Sequence, residues 1–299
     1  MYYLLYGILY FFSLLPFFIL YSISDFLFFV LYRIVGYRKE IVAENLQFAY
    51  PKKTAVEREL IRKNFYKKLI DNFIETIKLL SLSTISFDKR VSINFDDVQK
   101  LVDKGLNIQF HCGHQMNWEY ASLAVSKKLT IPSLAVYMRI SAKPLEKLFL
   151  KIRTKFGAIM VERNKYQSMM PQLMKKQYAL GLIADQNPDH QQKAYWLNFF
   201  NRPAPFQTGP EKGAMRYKTA VVFVNIISLK RGYYHIDCKV ITEDGSKFKD
   251  GELTRMYRNF LEAGISENPS NYLWSHRRWK FEWNTAYEKR WIDTMPSQK

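Results

Sequence analysis

Short apolar runs alternate with helical patterns through the second and third hundred residues, and this alternation most constrains the fold. The helical patterns are Gln115–Lys128, Ser141–Phe156, Ser168–Gln177, Glu211–Arg216 and Glu252–Ile265. The strand-like runs are Asn107–Cys112, Ser133–Met138, Ala158–Glu162, Leu180–Ala184, Ala220–Ser228 and Tyr233–Ile241. Strands separated by helices predict an α/β fold, with a mixed, largely parallel central sheet flanked by helices.

A further helix is predicted upstream of these runs. Thr54-Ala55-Val56-Glu57 has the pattern of a capping box, in which a threonine and a glutamate three residues later satisfy the first backbone N–H groups. Apolar residues then recur at helical spacing from Leu60 to Ile77 and predict the buried stripe of a long helix.

The N-terminus is almost free of charge. The first 32 residues contain Asp25 as their one charged side chain, and Tyr2–Leu20 alone is long enough to span a hydrocarbon core of about 30 Å. Basic residues and a small-residue cleavage site, as in a secretory signal, are missing here, so we interpret the segment as an uncleaved anchor. A buried core helix is the alternative. Pro16 and Asp25 predict a bend or an interfacial second half.

The charge distribution orients this anchor. Arg33, Arg38 and Lys39 directly follow the apolar run, which places the rest of the chain in the cytoplasm. We therefore predict a single-pass anchor over residues 1–34 and a cytoplasmic domain over residues 35–299. The chain has 45 Lys and Arg against 27 Asp and Glu, and this basic excess suits an anionic membrane, nucleic acid or an acidic protein. With an anchor present, anionic membrane lipid is the favoured partner and nucleic acid is not expected.

The two cysteines, Cys112 and Cys238, are too few for a disulfide framework and lack the spacing of metal ligands. No metal site is therefore expected. Cys112 precedes a histidine-containing segment, where a nucleophilic role is the alternative, but we interpret it as a buried core thiol.

The segment His114-Gln115-Met116-Asn117-Trp118-Glu119 follows the first strand-like run. A histidine at a strand end and a glutamate in the first turn of the next helix can fold back on each other. The carboxylate would fix the ring tautomer and leave the second nitrogen free as a general base, without a metal or cofactor. The same spacing from His111 reaches Met116, so we interpret His111 as structural. The alternative is that Glu119 is only a charge favoured by the helix dipole.

Polar residues also follow other strand-like runs. Arg163 follows the third run and Asp185-Gln186 follows the fourth, as His114 follows the first. Ligands of parallel α/β sheets bind beyond the carboxyl ends of the strands. We therefore expect these side chains to converge on one cleft, although each is also a residue type found in ordinary turns.

The segments described so far, together with several others, resemble the late acyltransferases of lipid A biosynthesis, within the glycerolipid and lysophospholipid acyltransferase group. The resemblance covers nearly the whole chain, because its motifs occur in the same order and at similar spacing. They are Gly36–Lys39, Glu44–Leu46, Tyr50-Pro51, Gly113–Glu119, Val161–Arg163, Ala184–Pro188, Phe199–Ala204, Thr208–Pro210 and Trp274–Lys280.

The resemblance implies an acyltransferase at the cytoplasmic face of the bacterial inner membrane. Such an enzyme moves a fatty acyl chain from acyl carrier protein to a hydroxyl of a lipid A precursor. The carrier protein would be a transient acidic partner, with acyl carrier protein or acyl coenzyme A as co-substrate and no bound cofactor. The resemblance also implies a catalytic dyad of His114 and Glu119, with Arg163 and Asp185 in or beside the cleft.

On this basis we assign roles to the remaining polar residues. Asn117, or backbone amides at the start of the next helix, would stabilise the oxyanion. Arg163 would bind an acceptor phosphate or the thioester end. Asp185 would position polar parts of the acceptor or support Arg163, and Gln186 beside it would be a substrate-binding residue. Arg277 and Arg278, interleaved with tryptophans, would contact the lipid headgroup, although surface packing explains them equally.

Two departures from the family pattern bear on the substrate. Glu211 stands where a small apolar residue is expected after Gly209-Pro210, and Gln115-Met116 replaces an aromatic-glycine pair. Both departures predict an altered acceptor or chain-length preference. A Phe-Pro-Glu-Gly phosphate motif is missing, which disfavours the glycerol-phosphate branch. The alternatives are an acyltransferase for a lysophospholipid or aminolipid, and a catalytically silent, membrane-tethered basic binding protein.

Overall fold

The computed structural model describes residues 1–293. The last residues of the predicted cytoplasmic domain, 294–299, lie outside this range. The helices are α1 (Tyr2–Leu14), α2 (Phe17–Phe29), α3 (Lys39–Ala49), α4 (Ala55–Lys78), α5 (Thr84–Asp88), α6 (Asp96–Asp103), α7 (Trp118–Lys128), α8 (Lys143–Arg153), α9 (Tyr166–Leu173), α10 (Gly209–Tyr217) and α11 (Glu252–Glu267).

The strands form one large sheet and one hairpin. Within residues 1–293 the large sheet has seven strands in the order β1-β9-β8-β2-β5-β3-β4, and β6 pairs with β7. The strands are β1 (Val91–Ile93), β2 (Ile108–Cys112), β3 (Ser133–Tyr137), β4 (Ile159–Glu162), β5 (Ala179–Ile183), β6 (Tyr195–Phe199), β7 (Arg202–Phe206), β8 (Ala220–Lys230) and β9 (Tyr233–Thr242).

The sheet is mixed and largely parallel, which confirms the predicted fold class. Its pairs are parallel except β8 with β9, so β1 and β9 run opposite to the other five strands. Each apolar run predicted from the sequence is a strand. The prediction missed β1, which has only three residues, and the hairpin of β6 and β7, where Pro203 and Pro205 argue against a strand.

Helices cover both faces of the sheet. Side chains of α7 pack with Phe110, Val222 and Val224 on one face, which we call the first face. The helix α8 lies on this face too, because Tyr137 of β3 donates to Glu146 of α8. Alternate strand residues such as Leu180 and Phe223 point to the opposite, second face, where α9, α10 and α11 pack. The site at the strand ends is thus enclosed from two sides.

The long helix α4 begins as predicted. The Thr54 side chain accepts from the backbone N–H of Glu57, and the Glu57 carboxylate accepts from the backbone N–H of Thr54, which completes the capping box. Helices α1 and α2 both pack against α4, and α1 also packs against α8. Because α4 receives both apolar N-terminal helices, it connects them to the sheet.

Pro16 divides the apolar N-terminus into two helices, as the predicted bend requires. Beyond α2, Val30–Val35 continues as a π-helix. The segment Phe17–Val35 has 19 residues and a mean hydropathy of 1.8, and is long and apolar enough to cross a membrane. This segment, rather than Tyr2–Leu20, is therefore the candidate span.

Polar contacts tie α2 to the rest of the chain. Arg231, in the turn between β8 and β9, contacts Asp25 of α2 at 2.8 Å and Asp71 of α4 at 2.6 Å. The Ser24 hydroxyl donates to the same Asp71 carboxylate at 2.5 Å. Asp25, the one charged residue of α2, thus has a cationic partner.

A buried carboxylate connects α2, the sheet and the segment before α7. Glu75 of α4 is fully buried and accepts from the hydroxyls of Tyr21 at 3.0 Å and Tyr234 at 2.6 Å. It also accepts from the Asn117 amide at 3.0 Å. Burial raises the pKa of Glu75 to about 7, against the lowering effect of these hydrogen bonds.

Replacing this carboxylate should destabilise the protein. Glu75→Ala leaves two buried donors, Tyr234 and Asn117, and the half-buried Tyr21 hydroxyl without their acceptor, at a cost of about 3 kcal/mol or more in the free energy of unfolding. Thermal unfolding of the detergent-solubilised protein, followed by tryptophan fluorescence, should show a clearly lower midpoint. Glu57→Ala removes an exposed capping carboxylate and serves as the control, with a smaller expected loss of about 1 kcal/mol. Equal midpoints for the two variants would contradict this role of Glu75.

Candidate active site

The carboxyl ends of the parallel strands bring the predicted polar residues together. A cavity of about 630 Å³ lies at this edge of the sheet, and His114, Arg163 and Gln186 line it. Asp185 lies directly behind His114 and is in contact with it. Of the four residues predicted to converge, three thus line one cleft, and Asp185 contacts the ring of His114 from behind.

Asp185 holds the His114 ring. The Nδ1 atom of His114 is 2.7 Å from Oδ1 of Asp185, and the backbone N–H of His114 donates to Oδ2 at 3.0 Å. The Asp185 side chain is fully buried, whereas 19% of the His114 side chain is exposed. With Nδ1 bound to a carboxylate, Nε2 is the nitrogen left for a substrate.

The two side chains shift the pKa of each other. Burial opposes protonation of His114, but the charge and hydrogen bonds of Asp185 outweigh burial and raise the pKa of the ring. Burial also opposes ionisation of Asp185, yet the neighbouring imidazolium and the hydrogen bonds from His114 hold its pKa well below the usual range. Each side chain thus stabilises the charged form of the other, and His114 can act as a base only in its neutral form.

Two aromatic side chains enclose the His114 ring. The ring of Trp118 meets it edge-on at 5.7 Å between centroids, and the ring of His276 is nearly parallel to it at 6.2 Å. Burial and nearby Arg278 lower the pKa of His276 to about 4, so this ring is neutral at physiological pH. His276 lies in the motif Trp274–Lys280 but was not predicted as a site residue, because a histidine without a carboxylate at helical spacing gives no catalytic signal.

The structure corrects the predicted contact between His114 and Glu119. The Glu119 carboxylate accepts from Arg153 of α8, with Nη2 at 2.6 Å and Nε at 3.0 Å and 3.1 Å, and from the Trp118 indole at 3.2 Å. Asp185 occupies the position at Nδ1 that was predicted for Glu119. Both Glu119 and Arg153 line the cavity, so a catalytic role of Glu119 remains a prediction.

The structure also contradicts the predicted role of the Asn117 side chain as a donor to the oxyanion. Asn117 is fully buried, its amide nitrogen donates to Glu75 at 3.0 Å, and its oxygen accepts from the backbone N–H of Tyr120 as the N-cap of α7. Both ends of the side chain are used in the fold. The alternative donors, backbone amides at the start of α7, lie at Trp118 and Glu119, which line the cavity.

Arg163 and Gln186 reach the cavity from neighbouring strand ends. Arg163 forms two hydrogen bonds with Asp189, and about a third of its side chain is exposed. The Gln186 amide lies 3.7 Å from the sulfur of Met138. Among residues 1–293 this is the one hydrogen-bond contact of the Gln186 side chain, and the partner of Arg163 is a solvent-exposed carboxylate. Both side chains can therefore turn to an incoming ligand.

The two predicted headgroup arginines lie outside this cavity lining. Arg278 is buried, with its guanidinium 4.3 Å from the ring centroid of Phe206, and donates to the Asn187 side chain at 3.0 Å. The backbone carbonyl of Arg277 accepts from Asn187 at 2.7 Å, while its side chain is exposed. The buried Arg278 therefore holds the segment that contains His276 against the loop after β5. Because its side chain is buried, the prediction that Arg278 contacts a lipid headgroup directly is wrong.

Other polar residues near the site are structural. His111 is buried between Phe223 and Tyr257, and burial lowers its pKa to about 3. Burial raises the pKa of the Cys112 thiol to about 12, which keeps it from acting as a thiolate nucleophile. Within residues 1–293 no group of three or more His, Cys, Asp or Glu side chains is arranged to hold a metal ion.

Glu211, one of the two departures from the family pattern, caps a helix. Its buried carboxylate accepts from the backbone N–H groups of Gly251 and Thr254 and from the Thr254 hydroxyl, at the start of α11. It is not part of the lining of the cavity at His114. The interpretation of Glu211 as a determinant of the substrate is therefore replaced by a role in stabilising α11.

A comparison with known protein families identifies the family of this chain. The model of the bacterial lipid A biosynthesis acyltransferase family matches residues 1–281. The chain belongs to this family. This lipid A acyltransferase is therefore an enzyme of acyl transfer, and the match includes the apolar N-terminus and every residue of the site. No curated protein matches the chain significantly.

The pairing in this lipid A acyltransferase predicts a specific pH dependence. Since the pKa of His114 is raised and the base must be neutral, kcat/KM should rise with pH and level off only above the ordinary histidine pKa. Asp185→Asn removes the charge that raises this pKa, so the rise should move to lower pH, with a rate loss of about 100-fold. The measurement is a pH profile of acyl transfer.

Glu119→Gln is the control for this experiment. Because Asp185, not Glu119, contacts the ring, the acid side of its profile should coincide with that of the unmodified enzyme. If Glu119→Gln shifts the profile and Asp185→Asn does not, Glu119 is the carboxylate that supports His114 during turnover.

Proposed function

We propose that this enzyme transfers a fatty acyl chain from the thioester of acyl carrier protein to a hydroxyl of a lipid A precursor. The observation that carries the proposal is a histidine, paired with a buried aspartate, beside a cavity with largely apolar walls. The cavity volume, about 630 Å³, lies in the range of roughly 300–1,000 Å³ that is typical of ligand pockets. The family supports lipid A as the acceptor.

The reaction uses His114 as a proton shuttle. Nε2 takes the proton from the acceptor hydroxyl while the oxygen attacks the thioester carbonyl, and Asp185 stabilises the imidazolium that forms. The tetrahedral intermediate then breaks its C–S bond, and the imidazolium returns the proton to the leaving thiolate. The products are the ester and the free thiol, and the histidine is neutral again.

The oxyanion of this intermediate would be stabilised by the N-terminus of α7. The first N–H groups of a helix have no intrahelical partner, and the helix dipole favours negative charge there. Trp118 and Glu119 begin this helix and line the cavity beside His114. Each such donor contributes about 3 kcal/mol in enzymes of this chemistry.

The acyl chain would lie in the part of the cavity on the first face, which we call the acyl arm. The acyl arm is bounded by Ala121, Ser122 and Val125 of α7, by Ala135 of β3 and by Gly181 of β5. Gly181 pairs in register with both Phe110 and Ala135, so a side chain at this position would point toward α7. Small side chains leave room for a linear hydrocarbon.

Filling the acyl arm should change the preferred chain length. A Cβ at Gly181 would lie 3.6 Å from the nearest carbonyl, an ordinary contact, so the backbone tolerates substitution. Gly181→Leu should therefore reduce kcat/KM for long acyl donors by about tenfold or more relative to short ones, because the branched side chain occupies the arm. Gly181→Ala is the control with little expected change. Competition between donors, read by mass spectrometry of the product, measures this ratio.

The membrane part of the proposal rests on the N-terminal helices. Large apolar side chains of α1 and α2 are exposed, among them Leu4, Phe11, Phe18 and Phe26. A surface of this kind suits a lipid bilayer, and the basic residues that follow it suit the cytoplasmic side. We infer anchoring in the bacterial inner membrane, with Arg163 available for a phosphate of the acceptor.

Purified enzyme with a lipid A precursor and acyl carrier protein thioesters tests the function. The product should gain the mass of one acyl chain, and His114→Ala should reduce this rate by about 100-fold or more. His235→Ala, on β9 and outside the cavity lining, is the matched control and should keep full activity. Acylation of a lysophospholipid in place of the lipid A precursor would overturn the assigned acceptor, and unchanged turnover by His114→Ala would overturn the mechanism.

A further inference from the structure

The cavity at His114 extends onto both faces of the sheet. Besides the acyl arm, its lining includes residues of the second face, and we call this part the second arm. It is bounded by the floor residue Leu182 and by Gln207, Lys212, Gly213, Arg216 and Tyr217 on and before α10. Since Leu182 and Gly181 are neighbours on β5, their side chains point to opposite faces. His114 lies at the strand ends, where the two arms meet.

The second arm differs from the acyl arm in charge. Lys212 and Arg216 are four residues apart on α10 and therefore lie on the same side of the helix. Both side chains are exposed, and no carboxylate within residues 1–293 forms an ion pair with either. Glu211, beside Lys212 in the chain, is buried against the start of α11. The two cations are thus available to an anionic ligand.

The second arm extends from His114 along α10. Gln109 lines it from β2, five residues before His114, which corresponds to about 16 Å along an extended strand. A Cβ at Gly213 would approach the buried Gln109 amide to 3.1 Å, so α10 packs directly against β2 there and the open part of the arm lies beside α10, over Leu182 of β5. Arg216 lies almost one turn farther along α10. A ligand that reaches from His114 to these cations must therefore be extended, with its anionic group at the end away from His114.

The two arms lie on opposite faces of the sheet and can therefore hold the two ends of one thioester donor. Helix α1 packs against α8, on the face that holds the acyl arm. The second arm lies on the other face. A thioester carbonyl at His114 has two chains that leave in different directions, the acyl chain and the thiol-bearing group, and the two arms match this requirement.

We propose that the second arm binds the phosphopantetheine group of the acyl donor, with its phosphate at Lys212 and Arg216. This inference rests on the proposed thioester donor. Phosphopantetheine is extended and carries its phosphate far from the sulfur, which matches the length of the arm and its two cations. The group is common to acyl carrier protein and coenzyme A, so the site accepts either source of the phosphate.

A donor series with and without the phosphate tests the site. The double variant Lys212→Gln/Arg216→Gln should raise KM about tenfold for acyl carrier protein thioesters and acyl coenzyme A alike, from the loss of two exposed charge contacts. For acyl-pantetheine, which lacks the phosphate, KM of the variant and of the unmodified enzyme should coincide. Lys218→Gln removes an exposed cation next to α10 that does not line the cavity, and should leave every KM unchanged.

Three outcomes would overturn the proposal. An equal rise of KM for acyl-pantetheine would show that the cations do not recognise the phosphate. A rise confined to acyl carrier protein would place Lys212 and Arg216 in contact with the carrier surface. A rise in KM for the lipid A precursor alone would assign the second arm to the acceptor.

Direct binding separates this inference from the proposed function. A non-hydrolysable acyl coenzyme A thioether should bind the His114→Ala variant in calorimetry, and binding should weaken about tenfold when Lys212→Gln/Arg216→Gln is added. If the unmodified enzyme acylates no lipid but binding shows this loss, the proposed function fails and the second arm stands. If acyl transfer proceeds and binding is insensitive to both substitutions, only the second arm fails.

Discussion

The parallel pairing of β2 with β5 is the constraint on which the site depends. Cys112 is in register with Ile183 at the ends of these strands, and the residues two positions beyond them are His114 and Asp185. Because the strands are hydrogen-bonded neighbours and end at the same height, these two side chains meet without a long loop. Rigid strand ends hold catalytic groups more precisely than flexible connections do. The ion pair at His114 therefore follows from the register of the sheet.

The same sheet separates the surroundings of His114 into regions of different chemistry. Small apolar residues line the first face, cations of α10 line the second, and the apolar N-terminal helices pack around α4 and α8. Glu75 connects these parts, since it binds Tyr21 of α2, Tyr234 of β9 and the Asn117 amide at the start of α7. The helix that carries the proposed oxyanion site is thus connected through a buried carboxylate to the apolar N-terminal helix α2.

The observed partners of Glu119 and Asn117 differ from the predicted ones for one physical reason. Spacing along the chain shows which groups can reach each other, but a polar group that is buried pairs with the partner that folding brings closest. Glu119 has the spacing in sequence that would allow it to contact His114, yet both of its carboxylate oxygens accept hydrogen bonds from Arg153 of α8. Asn117, predicted to face the substrate, is needed by Glu75 and by the N-terminus of α7. Such partners come from distant segments, and local patterns carry no information about them.

The amino-acid sequence by itself determined the elements with strong periodicity, the capped start of α4, the break at Pro16 and the uncharged N-terminus. These features depend on local backbone preferences and on the tendency of apolar side chains to be buried away from water. It also placed His114, Arg163 and Asp185 at strand ends, because parallel strands share a carboxyl edge. Only the tertiary structure decided that Asp185 is the partner of His114, that His276 stacks on the same ring, and that Arg278 is buried. Those contacts join segments far apart in the chain, and their geometry is set by strand order and helix packing.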